Sequence, residues 1–340
     1  MNQDIVSPYY EQVHIGFQYQ IAKDMVVESN LVGTYGHQLI GILAMNTFDG
    51  RESGGDNTLL NPNYSAINYR TNCCDSNYAG WQTTLRKRFT NGLQFNANYT
   101  FSKAMDDISD AFSSKTANGG TFPTEQDNPK FDYGPADYNA KHRGVASFVY
   151  DVPFGRTNRW VGGWNVSGIL SVQSGANFSV YNSGVDSNGD GNYNDRAVYT
   201  GPGTITNAIN HSTSPAFGYV KVDPTYWGSL NGPVLTATQT GIPCTANGGA
   251  WCNGPGEMQR NSLIGPGFFN TDLGFGKTFK INERMGLKLE GNFFNIFNHP
   301  NFLPPTGNLS SGQFGLSTST YSNQQSGGPR ITQLALRFDF

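Results

Sequence analysis

The stretch LQFNANYTFS, residues 93–102, decides the fold of this chain. Apolar side chains occupy every second position, and amides or hydroxyls lie between them: Leu93, Phe95, Ala97, Tyr99 and Phe101 alternate with Gln94, Asn96, Asn98, Thr100 and Ser102. Because successive side chains of a strand point to opposite faces, this period of two predicts a β-strand over residues 92–104 with one apolar and one polar face. A strand of a water-soluble sandwich alternates in the same way, so the stretch needs the rest of the chain to interpret it.

The same alternation recurs in eight further segments. They are residues 10–22, 25–37, 77–89, 143–152, 164–174, 268–280, 285–297 and 331–340. The nine segments are about 10–13 residues long, whereas strands of soluble proteins usually have about 5–6 residues. Tilted strands that cross a bilayer need about 9–11 residues. Several apolar faces also end on Tyr, Phe or Trp, as an interfacial aromatic girdle requires. Strand length therefore favours a membrane barrel over a soluble sheet.

The connections between the segments give an independent indication. Short connections alternate with long ones, and the long ones are residues 38–76, 105–142, 175–267 and 298–330. Outer-membrane barrels have short periplasmic turns and long extracellular loops. We therefore predict an all-β fold, an antiparallel up-and-down meander of about nine long strands that forms part of a large transmembrane β-barrel. The alternation also places the C-terminus in the periplasm.

The composition agrees with this fold class. Charged residues make up 14% of the chain, well below the roughly 25% of soluble domains. No segment approaches the ~18 consecutive apolar residues of a membrane helix, and the mean hydropathy is −0.45. A barrel tolerates this value because only every second strand residue faces lipid. The net charge of −3 gives no nucleic-acid footprint. Without a nucleophile motif or a phosphate-binding Gly loop, we predict that the chain is not an enzyme.

One segment has the spacing of a calcium loop. Asp186, Asn188 and Asp190 take alternate positions before Gly191, which matches the first half of such a loop. The twelfth position holds Ala197 in place of the bidentate acid. The candidate metal ligands are Asp186, Asn188, Asp190, Asn192 and Asp195. An Asn/Asp/Gly-rich turn without an ion explains the same residues, so both interpretations stand, and no other cofactor is predicted.

The cysteines and the remaining ionisable residues indicate no catalytic site. All four cysteines fall in predicted loops, where Cys244 and Cys252 are the most plausible disulfide, while the adjacent Cys73 and Cys74 are either bonded or free. None has the spacing of a zinc site. The acidic residues Asp106, Asp107 and Asp110 are interpreted as an exposed extracellular loop, and the five histidines share no spacing.

The C-terminal residues resemble the signal read by the outer-membrane assembly machinery. The chain ends on Phe340, with apolar residues two, four and six positions earlier at Phe338, Leu336 and Leu334. The stretches RNSLIGPGFFNTDL (260–273) and EGNFFNIFNHPNF (290–302) are similar to the last strands of large TonB-dependent-receptor-like proteins that carry an N-terminal carboxypeptidase-regulatory-like domain. GGWNVSG (162–168) and QSG (173–175) match the same family.

The resemblance implies a function and a set of partners. The family builds a barrel of about 22 strands around a plug, so residues 1–340 are interpreted as its C-terminal part, without the plug and regulatory domains. Even-numbered barrels would need an odd number of further strands. The start MNQDIVSPYY is not a signal peptide. The expected function is ligand uptake across the outer membrane of a Gram-negative-type bacterium, coupled to TonB through the plug; a structural or adhesive barrel is the alternative. The implied partners are outer-membrane lipid, the assembly machinery, TonB and an extracellular ligand.

Overall fold

Nine long strands form the framework of the protein. The computed structural model describes residues 2–46, 59–64, 67–110, 123, 128–155, 158, 160–181, 196–211, 214–223, 225–228, 258–282, 285–321 and 328–340. The strands are β1 (Tyr9–Ala22), β2 (Met25–Ala44), β3 (Asn68–Thr90), β4 (Leu93–Asp106), β5 (His142–Asp151), β6 (Trp164–Gln173), β7 (Phe268–Lys280), β8 (Gly286–Phe294) and β9 (Ile331–Asp339). Each overlaps one of the nine segments predicted from the sequence. In the described ranges no helix has the length and hydropathy needed to cross a membrane.

The nine strands make one antiparallel sheet in sequence order. Each strand from β1 to β8 pairs with the next one along the chain, which confirms the up-and-down meander. Within the described residues, β1 and β9 are the two edges of this sheet, and the short strand Gly134–Pro135 pairs with the end of β4. Further short strands lie in the long connections, at Asn177–Phe178, Val198–Tyr199, Trp227–Gly228 and Leu263–Ile264.

The turns at one end of the sheet are tight. Asn91 and Gly92 join β3 to β4 with φ values of 54° and 82°. A two-residue hairpin loop with both central residues at positive φ matches the right-handed twist of the flanking strands, and Asn-Gly is the pair that adopts it most readily. The connections after β1, β5 and β7 lie at the same end of the sheet. The long connections all lie at the opposite end, as the alternation predicted.

Two strands extend further than the sequence predicted. The expected segments 25–37 and 77–89 correspond to β2 and β3, which have 20 and 23 residues. Their register shifts between Gly36 and Ile40, opposite Cys74, and Gln38 has a φ of 56°. An irregularity of this kind interrupts the two-residue period, so the alternation stops there although the pairing continues. The prediction that Cys73 and Cys74 lie in a loop is therefore wrong: both belong to β3.

The cross-strand register shows how strongly the strands are inclined. One row of paired residues runs from Met25, beside the tight turn before β2, across eight strands to Thr332, near the opposite end of β9. Neighbouring strands are ~4.8 Å apart, so the row covers roughly 34 Å while it climbs from one end of the sheet to the other. If the row rises by ~25 Å, the height of an apolar band, over these ~34 Å, the strands tilt by about 45° from the barrel axis.

The two faces of the sheet differ in chemistry as predicted. One face carries large exposed apolar side chains, among them Val13, Ile15, Phe17, Leu31, Leu170, Leu289, Leu334 and Leu336. On β1 this row runs between Tyr9 and Tyr19, ten residues apart, or ~33 Å along the strand at ~3.3 Å per residue. With the tilt of a barrel strand, that separation gives the ~25 Å height of a lipid-facing band with an aromatic girdle on each side.

Candidate functional site

The polar face of the sheet forms a hollow across β4 to β8. Its volume is about 490 Å³. The side chains around it come from two neighbouring rows of the polar face: Gln94, Asn96, Ser147, Val149, Ser167, Ile169, Asp272, Asn292 and Phe294. Amide, hydroxyl and carboxylate groups share this lining with apolar side chains such as Val149, Ile169 and Phe294. The opposite side of the sheet is apolar, as in a barrel wall around a lumen.

The long connections fold together at one end of the sheet into a body that we call the cap. Its described parts belong to residues 107–141, 174–267 and 295–330. Its apolar core contains Phe178, Val180, Ala197, Ala208, Ile209, Val220, Trp227, Met258, Leu263 and Phe314. The most deeply buried apolar side chains therefore belong to connections and not to the sheet, so the described parts of the cap have a packed core of their own.

Two buried ion pairs stabilise the cap, one between the cap and the sheet and one within the cap. The Arg260 guanidinium donates to the Asp106 carboxylate at the end of β4, and Arg196 donates to Asp132 in the same way. Arg260 also donates to the Asp107 carbonyl at 3.3 Å and the Asp106 carbonyl at 3.2 Å. Breaking such a pair leaves an uncompensated buried charge. The ion pair between Arg260 and Asp106 therefore fixes the position of this part of the cap on the end of β4.

A series of asparagines continues this attachment from β4 into the cap. Asn139 accepts a hydrogen bond from the Ala104 backbone at 2.8 Å and donates to Asn177 at 2.8 Å. Asn177 in turn donates to the Asn261 carbonyl at 2.8 Å. The Asn261 amide donates to Asp137 at 2.6 Å. Asn261 is fully buried, and its φ of 56° is one that Asn tolerates better than most residues.

The motif before β9 has the same kind of role. Asn295 has a φ of 45°; its amide donates to the Gly328 carbonyl at 2.7 Å, and its backbone N–H donates to Asp272 at 2.8 Å. The fully buried Asn301 accepts a hydrogen bond from the Phe269 backbone at 2.8 Å. The residues that carry the family resemblance therefore attach connections to strand ends, and the sequence alone did not reveal that role.

The predicted exposed acidic loop is partly wrong. Asp106 and Asp107 expose only 1% and 2% of their surface. Asp106 is covered by Arg260, and one Asp107 oxygen accepts a hydrogen bond from the Asp75 backbone at 2.7 Å. Burial raises the pKa of Asp107, and burial likewise raises the pKa of Asp137. These carboxyl groups belong to the docking interface of the cap and not to an open loop.

The apolar row of β7 contains one lysine, for which the sequence predicted no role. Lys277 pairs with Trp164 at the short-turn end, and its ammonium donates to the carbonyls of Trp160 and Gly162. The ammonium also lies 5.2 Å from the Trp164 ring and 5.1 Å from the Phe279 ring. A cation within about 6 Å of ring centroids is stabilised by the aromatic faces. The charge is thus sheltered at the edge of the apolar band.

The structure joins Cys73 and Cys74 in a disulfide. Of the two alternatives left open for this adjacent pair, bonded or free, the structure has the bonded one. Both sulfur atoms pack against Gly41. The Cys244–Cys252 prediction and the candidate calcium ligands Asp186, Asn188, Asp190, Asn192 and Asp195 fall outside the described residues. Within the described ranges no three His, Cys, Asp or Glu side chains converge on a metal position.

The candidate assembly residues all lie on or beyond β9. Leu334, Leu336 and Phe338 occupy the apolar face, with Leu336 opposite Leu289. Phe340 follows the strand and exposes 96% of its surface. Ala335 pairs with Glu290 on the polar face, so the predicted facing of adjacent residues agrees with the register. Their role in assembly stays a prediction.

Comparison with known proteins gives the same fold. Residues 1–333 match the family model described as outer membrane beta barrel domain. The outer membrane transporter YddB from Escherichia coli is 11% identical, with a TM-score of 0.50 over 99% of this chain and 33% of that chain. The ferric preacinetobactin receptor BauA from Acinetobacter baumannii is 10% identical, with a TM-score of 0.44 over 97% of this chain and 29% of that chain.

The chain spans about a third of the length of these solved structures. No curated protein sequence matches it. At 11% identity the YddB structure supports the barrel fold alone, whereas the family model covers nearly every residue and identifies the membrane. The alternating faces, the tight turns opposite a folded cap and the family match lead to one conclusion: the chain belongs to the outer-membrane β-barrel domain family and resides in the outer membrane of Gram-negative-type bacteria.

Proposed function

We propose that this chain is the C-terminal barrel part of a receptor that takes up an extracellular ligand across the outer membrane. The observation that carries the proposal is the continuity between the cap and the concave polar face. The cap docks on the extracellular ends of the strands through Arg260 and Asp106, and the hollow lies on the polar side of the same strands. A ligand captured among the connections would meet the polar face of the sheet and its hollow directly below them.

The direction of the edge strands supports a larger barrel. β1 and β9 both run from the cap end to the short-turn end of the sheet. If these edges were joined directly, β1 and β9 would pair in parallel. Two copies in the same membrane orientation would also pair β1 of one with β9 of the other in parallel. Antiparallel closure needs an odd number of further strands between the edges. We therefore propose that other strands of the whole protein complete the barrel and that a plug within it couples uptake to TonB.

TonB coupling distinguishes a receptor from a structural or adhesive barrel. The test uses the full-length protein encoded by the complete gene, purified in detergent, and measures binding of the periplasmic domain of TonB. We expect binding that is lost when the N-terminal segment preceding the plug is deleted. A full-length protein that folds, inserts into the outer membrane and binds no TonB would overturn the proposal and favour the adhesive barrel. The proposal assigns no catalytic residue.

A further inference from the structure

The mouth of the polar face is defined by one row of residues across four strands. Tyr10, Gly36, Ser76 and Asp106 pair in register from β1 to β4, immediately below the cap. The Tyr10 ring leans over Gly36, where an added Cβ would lie only 2.7 Å from its Cε1 atom. The ring therefore lies along the wall, and 60% of the Tyr10 surface is exposed.

A second tyrosine repeats this arrangement within the sheet. An added Cβ at Gly80 would lie 2.9 Å from the Cζ atom of Tyr78, so the Tyr78 ring covers the glycine on its own strand. A glycine beneath a ring lets the aromatic side chain lie against the backbone. A ring that lies along the wall offers its flat face to whatever occupies the lumen. Tyr10 in the row at the mouth and Tyr78 in the row below it thus present flat aromatic faces along the wall.

A third tyrosine reaches the same place from the cap. Tyr138 exposes 65% of its surface, yet its hydroxyl end is desolvated beside Asp106. This burial raises the pKa of Tyr138 to about 12, and the Asp106 carboxylate acts in the same direction. The hydroxyl therefore remains protonated under physiological conditions. The segment that carries Tyr138 is attached at the same place, because the Ala136 N–H donates to the Ala104 carbonyl at 3.0 Å and Ala104 pairs with Tyr78.

The wall below these tyrosines is polar but carries few charges. In the next four rows the described polar-face side chains are mostly amides and hydroxyls, among them Gln12, Asn30, Gln82, Asn98, Thr100 and Gln173. Among the described strand residues of these rows, Arg143 is the only Lys or Arg and Glu28 the only acid. Arg260 above them is occupied by Asp106. Within these four described rows an anionic ligand would find no cluster of available guanidinium groups.

We propose that the mouth formed by Tyr10, Tyr78 and Tyr138 binds a neutral, hydroxyl-rich ligand, an oligosaccharide. Sugar rings present apolar C–H faces that stack on tyrosine faces, and their hydroxyl groups donate to and accept from side-chain amides. The combination of flat aromatic faces and a neutral amide wall meets both requirements. The inference rests on the proposed receptor function and specifies its ligand class.

The test measures ligand binding by the full-length protein in detergent micelles. The probes are short gluco-, xylo-, manno- and chito-oligosaccharides, with a ferric trihydroxamate chelate and an oligolysine peptide for comparison. We expect at least one oligosaccharide to bind. Tyr138→Ala should weaken that binding roughly five- to tenfold, the range expected for the loss of one aromatic contact, whereas Tyr138→Phe should retain most of the affinity. Phe217→Ala is the matched control, because Phe217 is an exposed aromatic residue in another segment of the cap.

Several results would overturn the assignment. They are the absence of binding to every oligosaccharide, oligosaccharide binding that is unchanged in both Tyr10→Ala and Tyr138→Ala, and Tyr138-dependent binding of the chelate or the peptide alone. The ligand class and the receptor function fail separately. Oligosaccharide binding by a protein that binds no TonB would uphold the ligand class and reject coupled uptake. TonB binding without oligosaccharide binding would uphold coupled uptake and reject the ligand class.

Discussion

Arginine substitutions at two adjacent positions of β9 test which face of the sheet meets lipid. Leu336 lies on the apolar face opposite Leu289, whereas Ala335 lies on the polar face opposite Glu290. Leu336 is four residues from Thr332 near one end of the strand and four from Phe340 beyond the other, or ~13 Å along the strand in each direction. With barrel tilt that is ~10 Å of height on each side, so Leu336 lies close to the bilayer midplane.

The expected magnitudes follow from these positions. Leu336→Arg should lower the free energy of unfolding by about 2–4 kcal/mol, the cost of Arg at the midplane, and the penalty should fall to about 0–1 kcal/mol at Thr332. Ala335→Arg should cost less than about 1 kcal/mol, because the new guanidinium faces the lumen near Glu290. The measurement is reversible urea unfolding of the full-length protein in phospholipid vesicles. Equal penalties along the row, or a larger penalty for Ala335→Arg, would show that the assignment of faces is wrong.

The remaining predictions concern the cap. Arg260→Met should destabilise the cap by about 3–5 kcal/mol in hydrogen exchange, because the Asp106 carboxylate loses its buried partner. The control is Lys130→Met, which removes the exposed ion pair between Lys130 and Asp75 and should cost less than about 1 kcal/mol. The raised pKa of Asp107 means that the folded state holds this proton more tightly than the unfolded state. Cap stability should therefore fall as pH rises from the ordinary value of 3.8 through the raised pKa, and Asp107→Asn should flatten that dependence in limited proteolysis. Calorimetric titration with Ca²⁺ should show a site that Asp190→Ala removes, and an unchanged isotherm would favour the ion-free turn.

The strands were predictable because a barrel wall obeys one local rule. Each residue of β4 meets either lipid or the lumen, so its polarity follows directly from its position, and the same holds for β9. The rule fails where the backbone departs from a regular ladder. At Gln38 and the Cys73–Cys74 pair the register shifts, the alternation is interrupted, and the outer parts of β2 and β3 could not be recognised although they remain hydrogen-bonded.

The cap could not be predicted, because its stability depends on partners that are far apart in sequence. Arg260 and Asp106 are separated by 154 positions, and Asn261 and Ser179 by 82; no period or spacing relates such residues. An acidic run such as Asp106–Asp107 is usually solvated, and only the arriving guanidinium makes its burial favourable.

This dependence also explains why the residues that carry the family resemblance differ from those that we propose to bind a ligand. The motif residues Arg260, Asn261, Asn295 and Asn301 are committed to backbone and carboxylate partners inside the structure. Their hydrogen-bonding groups are largely occupied, so they are poor candidates for contacting a ligand, and any barrel with this cap attachment would need similar side chains whatever it transports. In the proposed receptor, ligand specificity comes from side chains with exposed surface at the mouth, of which Tyr138 is an example. A resemblance carried by docking residues therefore predicts the architecture of the barrel but not the chemistry of its ligand.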